Sequence, residues 1–127
     1  YLRKGIKWSD GTPLTTEDAE FWFKDVILNE ELTPVLPKWL VSEGKPAVFT
    51  KVDEYIFELT FSQPQGLFLQ IIANNPGAFV IPKHYMEQFH PKYTPMEEIH
   101  GNIKEEGVDT WWQLFGNKAY VDNPECR

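Results

Sequence analysis

Cysteine is almost absent from this sequence. Cys126 is the single cysteine among 127 residues, so the chain cannot form an internal disulfide. Such usage is typical of cytoplasmic proteins and equally of cell-envelope proteins that avoid cysteine. Long apolar runs are also missing, because no segment approaches the roughly 18 uninterrupted apolar residues that a membrane-spanning helix needs. The composition therefore excludes a fold held by its own disulfides and predicts no transmembrane helix.

Positive charge is scarce. The chain carries 12 Lys and Arg residues against 19 Asp and Glu residues, a formal net charge of -7. A nucleic-acid-binding protein needs a basic face toward the phosphates. We therefore expect no nucleic acid among its partners.

Recognisable catalytic and metal-binding motifs are missing as well. The three histidines, His84, His90 and His100, have spacings that match no common zinc motif, and no cysteine lies near them. There is no Gly-x-Ser-x-Gly, no phosphate-binding loop and no His-Glu-x-x-His. We therefore expect no enzyme activity, no metal and no cofactor.

Aromatic residues and turn formers are abundant. Aromatics make up 15% of the chain, which also holds eight glycines and ten prolines. This predicts short elements joined by fixed turns, in an α+β fold with a small antiparallel sheet packed with several short helices. We expect residues 1–127 to form one domain, with 117–127 as a loose tail. The chain begins as if inside a strand, so we also expect it to be a lobe of a longer protein.

The first twenty residues predict a strand, a turn and a helix. Weak alternation favours a strand over Leu2–Trp8, and Ser9-Asp10-Gly11 has the chemistry of a tight turn. Pro13 ends the strand because it cannot donate to a ladder. Thr15 is a candidate helix cap. Apolar residues then recur at helical spacing on one face, at Ala19, Trp22, Phe23, Val26 and Ile27.

The middle of the chain predicts a β-hairpin followed by a buried helix. Residues 48–52 and 55–61 read as its two strands, with alternate apolar residues of the second strand facing the core. Those residues are Tyr55, Phe57, Leu59 and Phe61. Leu67–Ala73 is apolar except at one position, which predicts a nearly buried helix. The following residues, 74–77, form a strong loop signal.

The last third predicts three short helices. The first follows Ile81-Pro82, with Tyr85, Met86 and Phe89 facing inward. Thr94 and Glu97 have the spacing of a capping box, with Pro95 between them. We expect that helix to end at Gly107, and Asp109 to cap a final turn over 110–115.

Two sets of residues are candidates for ligand contact. Trp39, Trp111 and Trp112 offer flat faces for sugars or peptide side chains, although core packing is the commoner role of tryptophan. Asn74 and Asn75 follow the predicted buried helix, where they either form the turn or present amides to a ligand. The residues themselves leave both alternatives open.

The run from Leu2 to Asp18 resembles a signature of the family 5 extracellular solute-binding proteins. Its matching positions include Trp8, Asp10, Gly11, Pro13, Thr15 and Asp18. Thr16 and Ala19 replace the Ala and Val usual in the family. The resemblance continues through the hairpin at 51–61 and through Ile81-Pro82-Lys83-His84-Tyr85, so it covers nearly all of residues 1–93.

The resemblance implies a substrate-binding protein that delivers oligopeptides to the permease subunits of an ABC importer. Such receptors have three lobes, and the stretch resembles most of the second. It implies a periplasmic or extracellular location, with any membrane association through an anchor outside the sequence. The Asn74-Asn75-Pro76 loop is then the best local candidate for ligand contact, and the signature residues are structural.

Two alternatives remain open at the level of sequence. Oligosaccharides are a second ligand class for the same family, in keeping with the aromatic content. A different class of function is the non-catalytic part of an envelope hydrolase, whose active site would lie elsewhere.

Overall fold

The computed structural model describes residues 1–74 and 79–119, which form two compact units. The first unit contains residues 1–4 and 15–80, and the second contains 5–14 and 81 onward. Helices and small antiparallel sheets occur together, so the α+β prediction is confirmed. Among the described helices, none is long and apolar enough to cross a membrane. One domain over residues 1–127 stays a prediction.

The first unit begins with a helix that changes its geometry halfway. Helix α1 spans Thr16–Phe21 and continues directly as a π-helical segment, Trp22–Ile27. The predicted apolar face is buried at four of its five positions, namely Ala19, Trp22, Phe23 and Ile27. Phe21 is buried too, so the helix packs over a wider arc than its main stripe suggested.

Two small antiparallel sheets follow the helix. A 3₁₀ turn at Lys38–Leu40 leads into β1 (Val41–Ser42), which pairs with β2 (Lys45–Pro46). Strand β3 (Val48–Lys51) pairs with β4 (Phe57–Thr60), which confirms the predicted hairpin. Its expected core face at Tyr55, Phe57, Leu59 and Phe61 is only half-buried.

Helix α2 spans Phe68–Asn74, and the prediction that it is nearly buried is wrong. None of its residues is buried, and the side chains of Leu67 and Leu69 are 67% and 79% exposed. Apolar residues surround this helix on every side, whereas its own unit covers only one stripe at i, i+3 and i+4. That stripe is Phe68, Ile71 and Ile72, which are half-buried.

The second unit contains the segment 5–14 and the last helices. The predicted strand over 2–8 is wrong, because the described backbone there makes one isolated bridge, between Lys7 and Pro13. Gly5 has a φ of +84°, a left-handed conformation that interrupts an extended strand. Helix α3 spans Lys83–Met86 and is followed by a 3₁₀ turn at Glu87–Phe89.

Helices α4 (Met96–Glu106) and α5 (Trp111–Lys118) complete this unit. Gly107 ends α4 in a left-handed conformation, as predicted. The capping box at Thr94 is wrong, because α4 has no side-chain cap and the Thr94 hydroxyl donates to the Glu87 carbonyl instead. The side chain of Thr110, rather than Asp109, caps α5.

The cores of the two units contain the inward residues predicted from helical spacing. In the second unit the buried apolar side chains include Met86, Phe89, Ile99, Ile103, Leu114 and Phe115. Helix α5 runs to Lys118, two residues into the segment 117–127 for which a loose tail is predicted. Residues 120–127 of that segment lie outside the described residues.

Candidate functional site

The Asp10-Gly11 turn uses its own polar groups to satisfy its backbone. The Gly11 N–H donates to the Trp8 carbonyl at 3.0 Å, and the Trp8 N–H donates to the Thr12 carbonyl at 2.8 Å. One carboxylate oxygen of Asp10 accepts the Thr12 N–H at 2.8 Å. Gly11 has a φ of +89°, which a side chain disfavours. These contacts support a structural role for this part of the signature.

The second carboxylate oxygen of Asp10 reaches His84 on α3. Asp10 Oδ2 and His84 Nε2 lie 2.6 Å apart, with both side chains partly exposed. The Thr12 N–H, followed by the His84 side chain, lowers the pKa of Asp10 below its ordinary value. The pair therefore joins the signature turn to the Ile81–Tyr85 segment within the same unit.

Thr15 and Asp18 start helix α1 by capping each other. The Thr15 hydroxyl accepts the Glu17 N–H at 3.3 Å, and Asp18 Oδ2 accepts the Thr15 N–H at 2.9 Å. This is the reciprocal pattern of a capping box. The Thr16 hydroxyl then donates to the Asp53 carbonyl at 2.6 Å. The helix start is thereby fixed to the turn between β3 and β4.

The candidate ligand-contact residues lie at the end of α2. Asn74 is the last residue of that helix and is exposed. Asn75 and Pro76 lie outside the described residues. The structure therefore presents one of the two candidate amides to solvent, and ligand contact by either stays a prediction.

An aromatic group in the same unit surrounds Trp39. We call it the tryptophan cluster, and it consists of Trp22, Trp39, Phe68 and Phe79. Trp22 and Trp39 are stacked at 14°, with ring centroids 6.3 Å apart. Phe79 lies 5.5 Å from Trp39, and Phe68 lies 6.2 Å from it. Phe68 belongs to α2, so this helix carries both a member of the cluster and Asn74.

The other two candidate tryptophans differ in burial. Trp111 is buried in the second unit, whereas Trp112 is 40% exposed. Sequence analysis singled out Trp39 but missed its partners Trp22 and Phe79, because their proximity depends on how distant segments pack. Trp22 was recognised only as a member of a core-facing helical stripe.

Two open depressions are lined by polar side chains. One, of about 630 Å³, lies in the first unit beside Thr15, Glu17, Lys51 and Asp53, and Glu17 and Lys51 form an ion pair across 3.3 Å. The other, of about 370 Å³, lies in the second unit and includes His84. In the part of the chain that the structure describes, no three His, Cys, Asp or Glu side chains are grouped closely enough to hold a metal.

The chain is similar to curated periplasmic binding proteins. It is 32% identical over 97 residues to the periplasmic alpha-galactoside-binding protein of Rhizobium meliloti, covering 73% of this chain and 13% of that protein. It is 28% identical over 140 aligned positions to the periplasmic oligopeptide-binding protein OppA of Salmonella typhimurium, covering 97% of this chain and 26% of that protein. The chain thus spans only about an eighth to a quarter of these relatives.

Solved structures show the same fold. An oligopeptide-binding protein OppA matches with a TM-score of 0.81 and 43% identity, covering 93% of this chain and 18% of that one. The periplasmic binding protein MelB of Agrobacterium fabrum, solved with stachyose, matches with a TM-score of 0.65 and 24% identity, covering 92% of this chain and 16% of that one. The second match supports the fold alone.

A family model described as bacterial extracellular solute-binding proteins, family 5 middle, matches residues 1–114. The match includes the signature at Leu2–Asp18, the hairpin of β3 and β4, and α2 to α4. Proteins of this family bind solutes and do not transform them, which confirms the expectation that the chain is not an enzyme. The chain therefore belongs to the family 5 bacterial extracellular solute-binding proteins.

Proposed function

We propose that this chain is part of a receptor that captures oligopeptides outside the cytoplasmic membrane for an ABC importer. The observation that carries the proposal is the match to a solved oligopeptide-binding protein, at 43% identity over 93% of this chain. The curated relatives named above are periplasmic, which supports the same location for this protein. Its partners are a peptide ligand and the permease subunits, and a lipid anchor is part of the proposal.

The mechanism is binding followed by domain closure. A receptor of this kind populates open and closed arrangements, and a ligand that contacts the closed one better shifts the population toward it. The hydrogen-bonded signature turn and the capped helix α1 give the chain fixed local geometry. We propose that it serves as a rigid lobe while closure occurs elsewhere in the receptor.

Helix α2 is the element that we propose to contact the ligand. Its exposed end carries Asn74, and its Phe68 ring joins the tryptophan cluster. An amide both donates and accepts hydrogen bonds, so it matches the backbone groups of a peptide. Aromatic faces next to that amide suit apolar side chains of the ligand.

An oligosaccharide is the second candidate ligand. The alpha-galactoside-binding protein of Rhizobium meliloti is 32% identical to this chain over 97 residues. The stacked rings of Trp22 and Trp39 are also compatible with the apolar face of a sugar, and Trp39 is half-buried. Both ligand classes use the same binding and closure mechanism.

A thermal-shift panel on the full-length protein separates the two classes. A ligand that binds only the folded state stabilises it by about 2.7 kcal/mol at a concentration 100 times its Kd. We expect short peptides of mixed sequence to raise the Tm and stachyose to leave it unchanged. A shift with stachyose alone would assign the sugar class. No shift with either set would contradict the proposal.

A further inference from the structure

His90 is a buried histidine at the centre of the second unit. Its side chain is 3% exposed, and it lies where the 3₁₀ turn Glu87–Phe89 ends. Its backbone carbonyl accepts the N–H groups of Tyr93 and Thr94 at 3.0 and 3.1 Å. The residue therefore organises the turn that leads from α3 to α4.

The imidazole ring of His90 packs against aromatic rings of two elements. Its centroid lies 5.1 Å from that of Trp111 and 5.9 Å from that of Phe115, both on α5. The ring of Tyr93, on its own turn, lies 5.9 Å away. All three pairs are edge-to-face. His90 thus forms the contact between this turn and α5.

The protonation state of this ring follows from a hydrogen bond. His90 Nδ1 accepts the backbone N–H of Lys92 at 3.2 Å. A nitrogen that accepts an N–H carries no proton, so the ring is neutral, with its proton on Nε2. Adding a proton to Nδ1 removes this acceptor and places a charge among aromatic rings. Burial disfavours the charged form of a histidine.

The charged groups around His90 are few. Its turn carries Glu87, Lys92 and the phenol of Tyr93, while α5 carries a single charged residue, Lys118. Lys118 is paired with Glu106 of α4, and its ammonium lies over the Phe89 ring. Two of the three neighbouring charges on the turn and α5 are positive, which adds to the cost of a protonated ring.

We infer that His90 is an acid-sensitive lock that holds α5 on the turn 87–94 and releases it when the ring takes a proton. In the opened state the ring is solvated and binds a proton near its ordinary pKa of about 6.5. Opening is therefore favoured as the pH falls through that value, and the lock holds above it. This inference is independent of the ligand that the receptor binds.

Hydrogen exchange of residues 111–119, measured by mass spectrometry in the full-length protein, tests the inference. After correction for intrinsic exchange rates, the opening equilibrium of this segment should rise by up to about 25-fold between pH 7 and pH 5. The variant His90→Gln keeps a hydrogen-bond acceptor but cannot titrate, so its opening should not depend on pH. The matched controls His84→Gln and His100→Gln change exposed histidines and should behave like the original protein.

Three results would overturn the inference. These are an opening equilibrium that does not change with pH, a pH dependence that persists in His90→Gln, and one that disappears in His84→Gln. If His90→Gln fails to fold, nitrogen NMR of the original protein gives the answer. The His90 ring should be protonated at Nε2 alone at pH 7, and its titration should coincide with the opening of α5. A ring protonated at both nitrogens in the closed state would contradict the lock.

Discussion

Asp10 and His84 are 74 positions apart in the sequence, and Asp10 Oδ2 lies 2.6 Å from His84 Nε2. Each residue belongs to a different part of the family resemblance, one to the N-terminal signature and one to Ile81–Tyr85. Their contact shows that these two parts of the sequence pattern meet in one compact unit. The pair is exposed, so it orients the turn more than it stabilises the fold.

The first prediction concerns the titration of Asp10. The Thr12 N–H, and after it His84, hold the pKa of Asp10 below its ordinary value. Because the pKa is lowered in the folded state, this contribution to stability is present above the unfolded pKa and is lost as pH falls through the folded one. A carbon NMR titration of the Asp10 carboxyl group should therefore have a midpoint below that of a model peptide.

The variant His84→Gln separates the two causes of this shift. Since the Thr12 N–H is the larger cause, removing His84 should return the Asp10 midpoint only part of the way. A midpoint in the original protein at or above the model-peptide value would show that the turn does not favour the ionised carboxylate.

The second prediction concerns Gly11. Its φ of +89° is a conformation that an L-residue rarely adopts, although no atom lies within 4 Å of an added Cβ. Gly11→Ala should therefore lower the free energy of unfolding by about 1 kcal/mol through backbone strain alone. Gly101→Ala is the matched control, because it adds a methyl group in open space inside α4. There the change should stabilise the protein, by up to about 1 kcal/mol.

These two glycine variants are compared by chemical denaturation, and affinity is measured on the folded protein. Gly11→Ala with unchanged stability but lost ligand affinity would mean that the signature contacts ligand. The structural account of the turn would then be wrong.

The third prediction concerns the cap of α1. Thr15→Ala removes the acceptor for the Glu17 N–H and should cost about 1 kcal/mol of stability. Thr15→Ser keeps the hydroxyl and should cost far less. Equal midpoints of urea unfolding for Thr15→Ala and the original protein would show that this hydroxyl is not needed to start the helix.

The fourth prediction concerns Asn74. In the full-length receptor, Asn74→Ala should weaken ligand affinity by about tenfold, which corresponds to the loss of one hydrogen bond of about 1.4 kcal/mol. The Tm of the unliganded protein should not change, because Asn74 is exposed. Gln70→Ala is the matched control, since Gln70 is an exposed amide on the same helix. A larger loss of affinity in the control would move the contact from the end of α2 to its middle.

Local sequence signals predicted the elements whose residues carry their own start and stop. Helix α4 ends at Gly107 as its left-handed glycine dictates, and the hairpin of β3 and β4 follows from alternation. The predicted strand over 2–8 failed because Gly5 adopts a positive φ. The Thr94 box failed because its hydroxyl bonds a carbonyl of the preceding turn, which spacing alone does not reveal.

Tertiary relationships were beyond the reach of the sequence. The burial of α2 was overestimated because a hydrophobic run does not say how many of its sides will be covered. The contact of Asp10 with His84, and that of Trp22 with Trp39, join segments whose proximity is set by packing. Of the candidate site, the position of Asn74 after a helix was predictable, and its aromatic surroundings were not.

Calorimetric titration with mixed oligopeptides tests the central claim most directly, namely that this chain is one lobe of a peptide receptor whose site needs the other lobes. The full-length protein should bind peptides with a Kd in the micromolar range or tighter, which is about 8 kcal/mol of binding free energy. The isolated 127-residue chain should give no measurable binding heat. Micromolar binding by the isolated chain, or none by the full-length protein, would contradict the account.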